Sequence, residues 1–470
     1  MPNFDPLSQS QHFLALPRPD VTLGPLPRGL ADTTTVAAHD FDVDNRTGFM
    51  PPEPPLARLP SEWETWEAIL DSALTKRLKL HNGPTTSVSD RADSAAWRRV
   101  VQKLPVLSTD DLKTSEVRLR RAHHVLVWVM HYYIYTQPED IQPIIPRGIT
   151  IPLLRVCQQL LLPPIMTYSD NVLYNWALLR PQTPPSDQGS FEALLFPLSA
   201  SSTASTPALD NLKCLATFTG TRDEEEFYLA SARIEFRGTE VLEIMRETMD
   251  EAFVGDNTAL RRITSYLQRL PTVIKDITKL LTDVRHGCDP ELFYNQIRPW
   301  LKGQDSGPAS IKWVFEGIEE DPTLVQPTEL SGSSAGQSSL ISALDIFLGV
   351  SHGDNPTAVQ FLKRMRMYMP RHHRNFLRHL ENNPRPLKAL VEANRDYPGL
   401  LNAFNASIET LKEFREAHIR IVGVYITGPA RRARERLGQT GEGAVKGTGG
   451  MSAMAFVKGT RDDTAASKLS

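Results

Sequence analysis

The stretch Leu400–Pro429, LLNAFNASIETLKEFREAHIRIVGVYITGP, determines how the rest of the chain is interpreted. Its large apolar residues recur at steps of three and four, which places them on one face of an α-helix. His418 lies on the same face, and Arg415 lies one turn before it. The pair Gly428-Pro429 is expected to end the helix. The apolar residues of this face are Leu401, Phe404, Ile408, Leu411, Val422 and Tyr425.

A histidine that points from a rigid helix into an apolar interior has two interpretations. It is either a core histidine that packs against its neighbours, or a neutral nitrogen ligand for a haem iron. The guanidinium of Arg415 suits the second interpretation, because haem propionates need a nearby cation. Spacing alone favours the core histidine, since polar residues on apolar stripes are usually packing residues.

Composition excludes several classes of protein. The 470 residues are 40% hydrophobic and 23% charged, which is typical of globular proteins and allows a large core. The net charge of −3 gives no electrostatic case for binding nucleic acid or an anionic membrane. Three widely separated cysteines predict no disulfide framework, and the first residues, MPNFDPLSQSQ, lack the pattern of a signal peptide. We therefore expect a cytoplasmic protein without membrane spans.

The fold is predicted to be mainly α, with two all-helical domains. Residues 1–58 form a Pro-rich extended arm, and 59–181 form a small helical domain. A Pro/Ser/Thr-rich insertion or linker spans 182–211. The large helical domain, 212–470, is expected to bind the cofactor and to include a mobile Gly-rich loop at 438–450.

Three helices have predicted boundaries that the structure can test. Ser108–Asp111 is an N-cap cluster expected to open a helix that reaches Tyr133. A single helix is expected from Phe227 to about Phe253. Another runs from Asn257 to Arg285, with Pro271 either kinking or splitting it. The histidines His123, His124 and His131 match no metal-binding template and are interpreted as structural or surface residues.

Four segments together resemble the indoleamine 2,3-dioxygenase family, haem enzymes that open the indole ring of tryptophan. They are SAGQSS at Ser334–Ser339 with Asp345 after it, MYMP at 367–370 leading into HRNFL at 373–377, REAHIRIV at 415–422, and KGTGG at 446–450. The likeness extends back to LPPI at 162–165 and covers roughly residues 60–465. This resemblance reverses the preference for a core histidine at 418.

The resemblance implies a haem b site on the long helix. His418 corresponds to the proximal iron ligand, and Arg415 to the arginine that faces the propionates. Asp345 corresponds to an acid paired near that arginine, and Ser334 lies on the cofactor side of the SAGQSS loop.

The resemblance also implies the substrate site. Ser231 corresponds to the polar residue over the distal face, and Arg298 to the arginine that takes the substrate carboxylate; these two are the predicted catalytic residues. Two departures from the family pattern are Tyr228 and Tyr294, where phenylalanine is expected, and a third is Ser333 in place of a glycine. The predicted substrate-binding residues are Tyr168, Phe227, Phe293, Tyr294, Arg298, Ala335 and Thr448.

The activity implied is insertion of both atoms of O2 across the indole C2–C3 bond of L-tryptophan, giving N-formylkynurenine, the first step of the kynurenine pathway toward NAD. Implied partners are L-tryptophan and related indoleamines, O2 and an electron donor, with the protein a monomer. Two alternatives stay open: a haem-based oxygen-binding or storage protein on the same scaffold, and a weakly active paralogue.

Overall fold

Two long helices that run in the same direction form the centre of the molecule, which we describe from a computed structural model. The structure describes residues 41, 43–180, 207–306, 311–353, 356–436, 438 and 447–470. The helix α12, Leu400–Val422, makes its most extensive contact with α7, Asn257–Asp283, and packs against the C-terminal helix α14, Ala453–Ala466. The mainly α fold is confirmed.

The predicted apolar face of α12 is its buried face. Phe404, Ile408 and Leu411 are fully buried against α7, and Arg415 is almost fully buried one turn further on. Each large apolar side chain buried there contributes about 1.5–3 kcal/mol. This packing fixes the rotation of α12 and therefore the direction in which His418 points.

The predicted end of this helix is wrong. The pair Gly428-Pro429 does not end the helical structure. A π-helical turn, Gly423–Thr427, follows Val422 and leads directly into α13, Gly428–Arg436. Pro429 is tolerated because it lies in the first turn of α13, where its missing N–H would have no partner within the helix.

The other helices follow in chain order, and two further predicted boundaries need correction. The helix expected to open at Ser108–Asp111 is preceded there by a 3-10 turn, Asp111–Thr114, and is capped by Ser115 instead. The single helix expected from Phe227 to Phe253 is two helices that meet at Gly238. The remaining α-helices are α1 Glu64–Lys76, α2 Val88–Val101, α3 Glu116–Tyr135, α4 Arg147–Leu160, α5 Arg222–Arg237, α6 Thr239–Val254, α8 Ser339–Phe347, α9 Pro356–Arg366, α10 Arg371–Glu381 and α11 Leu387–Ala393.

Pro271 neither splits nor ends α7, which is one helix from Asn257 to Asp283. Two further π-helical turns occur, at Ser169–Leu173 and Phe293–Ile297. The second is preceded by the short helical segment Pro290–Leu292 and followed by a 3-10 turn, Arg298–Leu301.

Two small sheets complete the described secondary structure. The strand β1, Ile144–Ile145, pairs in parallel with β4, Val314–Phe315. The strand β2, Trp176–Leu178, pairs antiparallel with β3, Leu212–Cys214. The strands β2 and β3 lie before and after residues 181–206 in the chain. These residues, which include most of the predicted insertion, lie outside the described part of the structure.

The core around α1–α4 includes residues from both predicted domains. Trp128 stacks on Phe218 with ring centroids 4.1 Å apart, and Phe218 stacks on Trp300 at 4.7 Å. His131, buried beside them, has its Nδ1 2.8 Å from the carbonyl oxygen of Trp300. His123 pairs with Asp170, with Nδ1 2.7 Å from Oδ1. The contacts of His123 and His131 are therefore structural. Among the described residues, no cluster of three or more His, Cys, Asp or Glu side chains could hold a metal ion. The division into two domains stays a prediction.

The end of the predicted N-terminal arm is packed rather than extended. Residues 1–40 and 42 lie outside the described part, but residues 43–50 form a turn closed by hydrogen bonds between Asp44 and Gly48. Phe49 and Met50 are buried. In the described ranges, none of the helices is both long enough and apolar enough to span a membrane. All three cysteines are free, and the cytoplasmic location stays a prediction.

Candidate active site: a cavity between α5 and α12

A large cavity lies between α5 and α12. Including the solvent at its open mouth, it contains about 1320 Å³ not filled by atoms. Its walls are mainly apolar. Besides these two helices they come from the segment around the Phe293 π-turn, the Ser333–Gly336 loop, and the residues from Gly447 to Val457.

His418 points into this cavity from α12. Its ring makes no hydrogen bond to any described residue, although an imidazole carries two nitrogens that normally find partners. Burial, with a smaller effect from Arg415, lowers the pKa of His418 to about 4. The imidazole is therefore neutral at physiological pH and offers a free nitrogen lone pair to the cavity, the state in which histidine binds a metal.

The opposite wall is formed by α5 and is largely apolar. Phe227, Ala230 and Ile234 line it, with Ser231 as its polar residue. No acid, base or second histidine from the described residues of α5 lines the cavity across from His418. Such a wall excludes water and supplies no proton donor to a bound oxygen species.

A buried carboxyl lies one turn beyond Ser231, and sequence reasoning missed it. Glu235 accepts hydrogen bonds from the Tyr168 hydroxyl at 2.9 Å and the Ser338 hydroxyl at 2.7 Å. Burial raises the pKa of Glu235 to about 7 despite both hydrogen bonds. Tyr168 itself lines the cavity, so this carboxyl touches the site through one side chain. The spacing of four from Ser231 on the same helix face could have identified it.

Arg298 and the neighbouring aromatic rings form another wall. Phe293 packs on Phe227 with ring centroids 4.5 Å apart and on Tyr425 at 5.6 Å. Arg298 is buried at the cavity, and this burial lowers its pKa. Its guanidinium lies 5.4 Å from the ring centre of Tyr294. A buried guanidinium in this position suits a ligand carboxylate.

The Gly-rich segment meets the SAGQSS loop over the cavity. The Thr448 hydroxyl donates to the carbonyl oxygen of Ser333 at 2.6 Å, and the Thr448 carbonyl accepts from the Gly332 N–H at 3.1 Å. On its other side Gly332 lies close to the backbone after the Arg298–Leu301 turn, because a Cβ there would lie 2.2 Å from the carbonyl oxygen of Leu301. Residues 447–450 are therefore held against the site, whereas 439–446 of the predicted mobile loop lie outside the described residues.

Arg415 and Asp345 form an ion pair behind the cavity wall, and neither residue lines the cavity. The Nε atom of Arg415 is buried and has no hydrogen-bond partner among the described residues. Burial alone would raise the pKa of Asp345, but Arg415 and His352 lower it below its usual value. The other oxygen of Asp345 faces His352, whose second nitrogen faces Asp463 on α14. Sequence analysis did not predict this His352 contact.

Nine predicted site residues line the cavity together, and three do not. Tyr294 lies behind Arg298 instead of in the wall, while Asp345 and Arg415 lie one layer further out. Two departures have partners for their added hydroxyls: Tyr228 donates to Glu224 at 2.9 Å, and the Ser333 hydroxyl lies 3.2 Å from the side-chain oxygen of Asn171. The nine are Tyr168, Phe227, Ser231, Phe293, Arg298, Ser334, Ala335, His418 and Thr448.

These residues fit a haem. A single neutral imidazole without a hydrogen-bond partner faces a large apolar cavity, and a buried cation with a free Nε lies on the same helix. This arrangement defines an all-helical protein with one histidine available as an axial ligand and an apolar opposite face.

The comparisons with known proteins identify the family. A family model described as indoleamine 2,3-dioxygenase matches residues 37–467. The chain is 31% identical to indoleamine 2,3-dioxygenase of Saccharomyces cerevisiae, with 91% of this chain and 92% of the relative covered. It is 28% identical to indoleamine 2,3-dioxygenase 1 of Mus musculus, with 92% and 96% covered. A relative in Fusarium equiseti, 29% identical with 92% and 98% covered, is named 6-hydroxytryptophan 2,3-dioxygenase.

The chain therefore belongs to the indoleamine 2,3-dioxygenase family. It is an oxidoreductase of the dioxygenase type. The roles of the individual site residues stay predictions.

Proposed function

We propose that this protein is a haem-dependent dioxygenase that inserts both atoms of O2 across the indole C2–C3 bond of L-tryptophan and releases N-formylkynurenine. The observation that carries the proposal is the neutral, unpartnered imidazole of His418 facing an apolar wall across the cavity. Family membership supports tryptophan 2,3-dioxygenation in general.

His418 would hold haem b through its free nitrogen, with Arg415 near the acidic groups of the cofactor. When bound, the haem supplies the activation of O2, which no side chain can provide. Asp345 holds the guanidinium of Arg415 in place. The Nε–H of Arg415 has no partner among the described residues and could donate a hydrogen bond to a carboxylate.

The protein's own residues would orient the amino acid. Arg298 would receive the substrate carboxylate, because a fork of two parallel N–H groups fixes both position and angle. Phe227 and Phe293 would pack against the indole ring, and Thr448 would close the amino-acid end from above. Tyr168 and Ser231 are the polar groups nearest the ring.

The apolar wall of α5 would exclude water. The reaction adds both oxygen atoms to one carbon–carbon bond, so no net proton leaves or enters the substrate. A general base is not needed for that balance, which agrees with the absence of an acid or base among the described α5 residues that line the cavity.

A second substrate is favoured by one observation. The buried group of Tyr168, Glu235 and Ser338 adjoins the cavity, and it could hydrogen-bond a ring hydroxyl. Since a relative is named 6-hydroxytryptophan 2,3-dioxygenase, both amino acids belong in the first assay. We further propose that the protein is cytoplasmic and monomeric and takes electrons from an external donor.

The test is reconstitution with haem followed by turnover. The haem-loaded protein should show the absorption spectrum of a histidine-ligated haem and should accumulate N-formylkynurenine from L-tryptophan with a reductant and O2. The His418→Ala variant should lose both. A stable haem and oxygen complex without product would contradict the dioxygenase proposal and favour an oxygen-binding protein.

A further inference from the structure

His352 lies between two carboxylates that belong to different helices. It follows α8 closely in the chain, and its Nε2 lies 3.3 Å from Oδ2 of Asp345 on α8. Its Nδ1 lies 2.8 Å from Oδ2 of Asp463 on α14. The His352 side chain is only 11% exposed, so water competes little for these contacts.

The protonated ring satisfies both contacts, whereas the neutral ring cannot. A neutral imidazole has one N–H and can donate to a single carboxylate, leaving its other nitrogen lone pair against the second. The charged and titratable groups that face His352 are Asp345 from α8, Asp463 from α14 and Arg415 from α12. Burial and Arg415 lower the pKa of His352, but the two carboxylates outweigh them and raise it above its usual value.

The bridge connects two parts of the site. Phe456 and Val457 of α14 line the cavity, and Asp463 lies less than two turns further along the same helix. Asp345 gives one oxygen to His352 and the other to Arg415. A contact at His352 therefore acts on a cavity wall and, through Asp345, on the guanidinium of Arg415.

We propose that His352, in its protonated form, is a positioning residue that clamps α14 to α8 and holds Asp345 on Arg415. The clamp itself needs only the described contacts. The statement that it orients the cofactor-facing cation rests on the proposed function.

Hydrogen–deuterium exchange of the full-length protein tests the clamp. The peptide that covers residues 453–466 is compared between the wild type and His352→Gln at the same pH, so intrinsic exchange rates cancel. At pH 6 the amides of α14 should exchange about tenfold faster in the variant, the size expected on losing one charge-assisted hydrogen bond. As the pH rises through the raised pKa of His352, the wild-type ring loses its charge and the ratio should fall toward one.

A surface histidine provides the matched control. His286 is highly exposed, and its Nδ1 lies 3.7 Å from a carboxylate oxygen of Asp283, so His286→Gln makes the same substitution at an exposed His–Asp pair away from α14. The control should match the wild type at every pH. Equal exchange in His352→Gln and the wild type at pH 6, or a ratio that does not change with pH, would overturn the clamp.

A second measurement tests the effect on the cofactor side. The rate at which haem transfers from the loaded protein to an excess of a haem-free globin should rise about tenfold in His352→Gln at pH 6. Unchanged transfer together with faster exchange of α14 would overturn the link to Arg415. If the wild type takes up no haem, the proposed function fails, while the exchange experiment still decides the clamp.

Discussion

Replacing Arg298 by alanine should weaken use of tryptophan far more than use of tryptamine, the amine that lacks the carboxylate. Arg298 is only 6% exposed, and burial lowers its pKa because the cavity disfavours a poorly solvated cation. A bound carboxylate compensates that cost through a charge-assisted contact of about 1.5–3 kcal/mol. Losing it corresponds to a fall of about 10- to 150-fold in kcat/KM for tryptophan.

The assay measures kcat/KM for both substrates in the wild type, Arg298→Ala and Arg298→Lys. The lysine variant keeps the charge but loses the planar fork, so its loss should be intermediate. Arg285→Ala, which changes an exposed arginine in the 3-10 turn after α7, is the control and should change neither value. Equal losses for tryptophan and tryptamine would refute the reasoning, since they would show damage to the cavity instead of a lost carboxylate contact.

Three further substitutions probe the same cavity. Thr448→Ala removes the hydroxyl that donates to Ser333 and should raise KM about two- to tenfold with kcat little changed, as steady-state kinetics would show. Ser231→Ala should keep kcat within about threefold, because loss of a true general acid or base would cost about 100-fold or more, and a loss of that size would contradict the base-free balance. Glu235→Gln should stabilise the protein at pH 8 and not at pH 5. The folded pKa of this carboxyl is raised from 4.5 to about 7, so burying its charge costs stability that grows as pH rises between these values, by roughly 3–4 kcal/mol in total. Thermal unfolding at the two pH values measures the stability difference between Glu235→Gln and the wild type. An equal shift in unfolding temperature at both pH values would rule out titration of Glu235 as its cause.

The sequence was sufficient to predict the helix that carries His418. The apolar steps from Phe404 to Leu411 determine which face of α12 is buried, and that face determines where His418 points. The motif resemblance then predicted residues from six separate segments that the structure places around one cavity. The spacing rule succeeds here because the buried residues of α12 follow one helical repeat along its length.

The errors have identifiable physical causes. Gly238 separates two helices that were expected to be one, since a glycine within a helix costs only about 1 kcal/mol and is a weak boundary signal. Pro429 was interpreted as the end of the helix, although proline is equally compatible with the first turn of a new helix. Tyr294 was expected in the cavity wall but lies behind Arg298. The π-turn at Phe293–Ile297 changes the direction in which the side chains of that segment point. No residue type in the sequence predicts such a turn.

The His352 bridge and the Glu235 cluster could not be predicted for another reason. Their partners lie far away in the chain: Asp463 is 111 residues from His352, and Ser338 is 103 residues from Glu235. Local spacing carries no information about such pairs. They follow only from the way in which α5, α8 and α14 pack.

The three π-helical turns in the described part of the chain all adjoin the cavity. Tyr168 immediately precedes the first, Phe293 begins the second, and Tyr425 lies within the third; each of these rings lines the cavity. A π-turn is equivalent to one extra residue inserted into an α-helix, and an α-helix rotates about 100° per residue. Deleting one residue from Gly423–Thr427 would therefore restore a regular helix and swing all of α13 around its axis, carrying Arg432 away from Glu291. In evolutionary terms, such a cavity could have arisen from single-codon insertions into ordinary helices, with the bundle around them left unchanged.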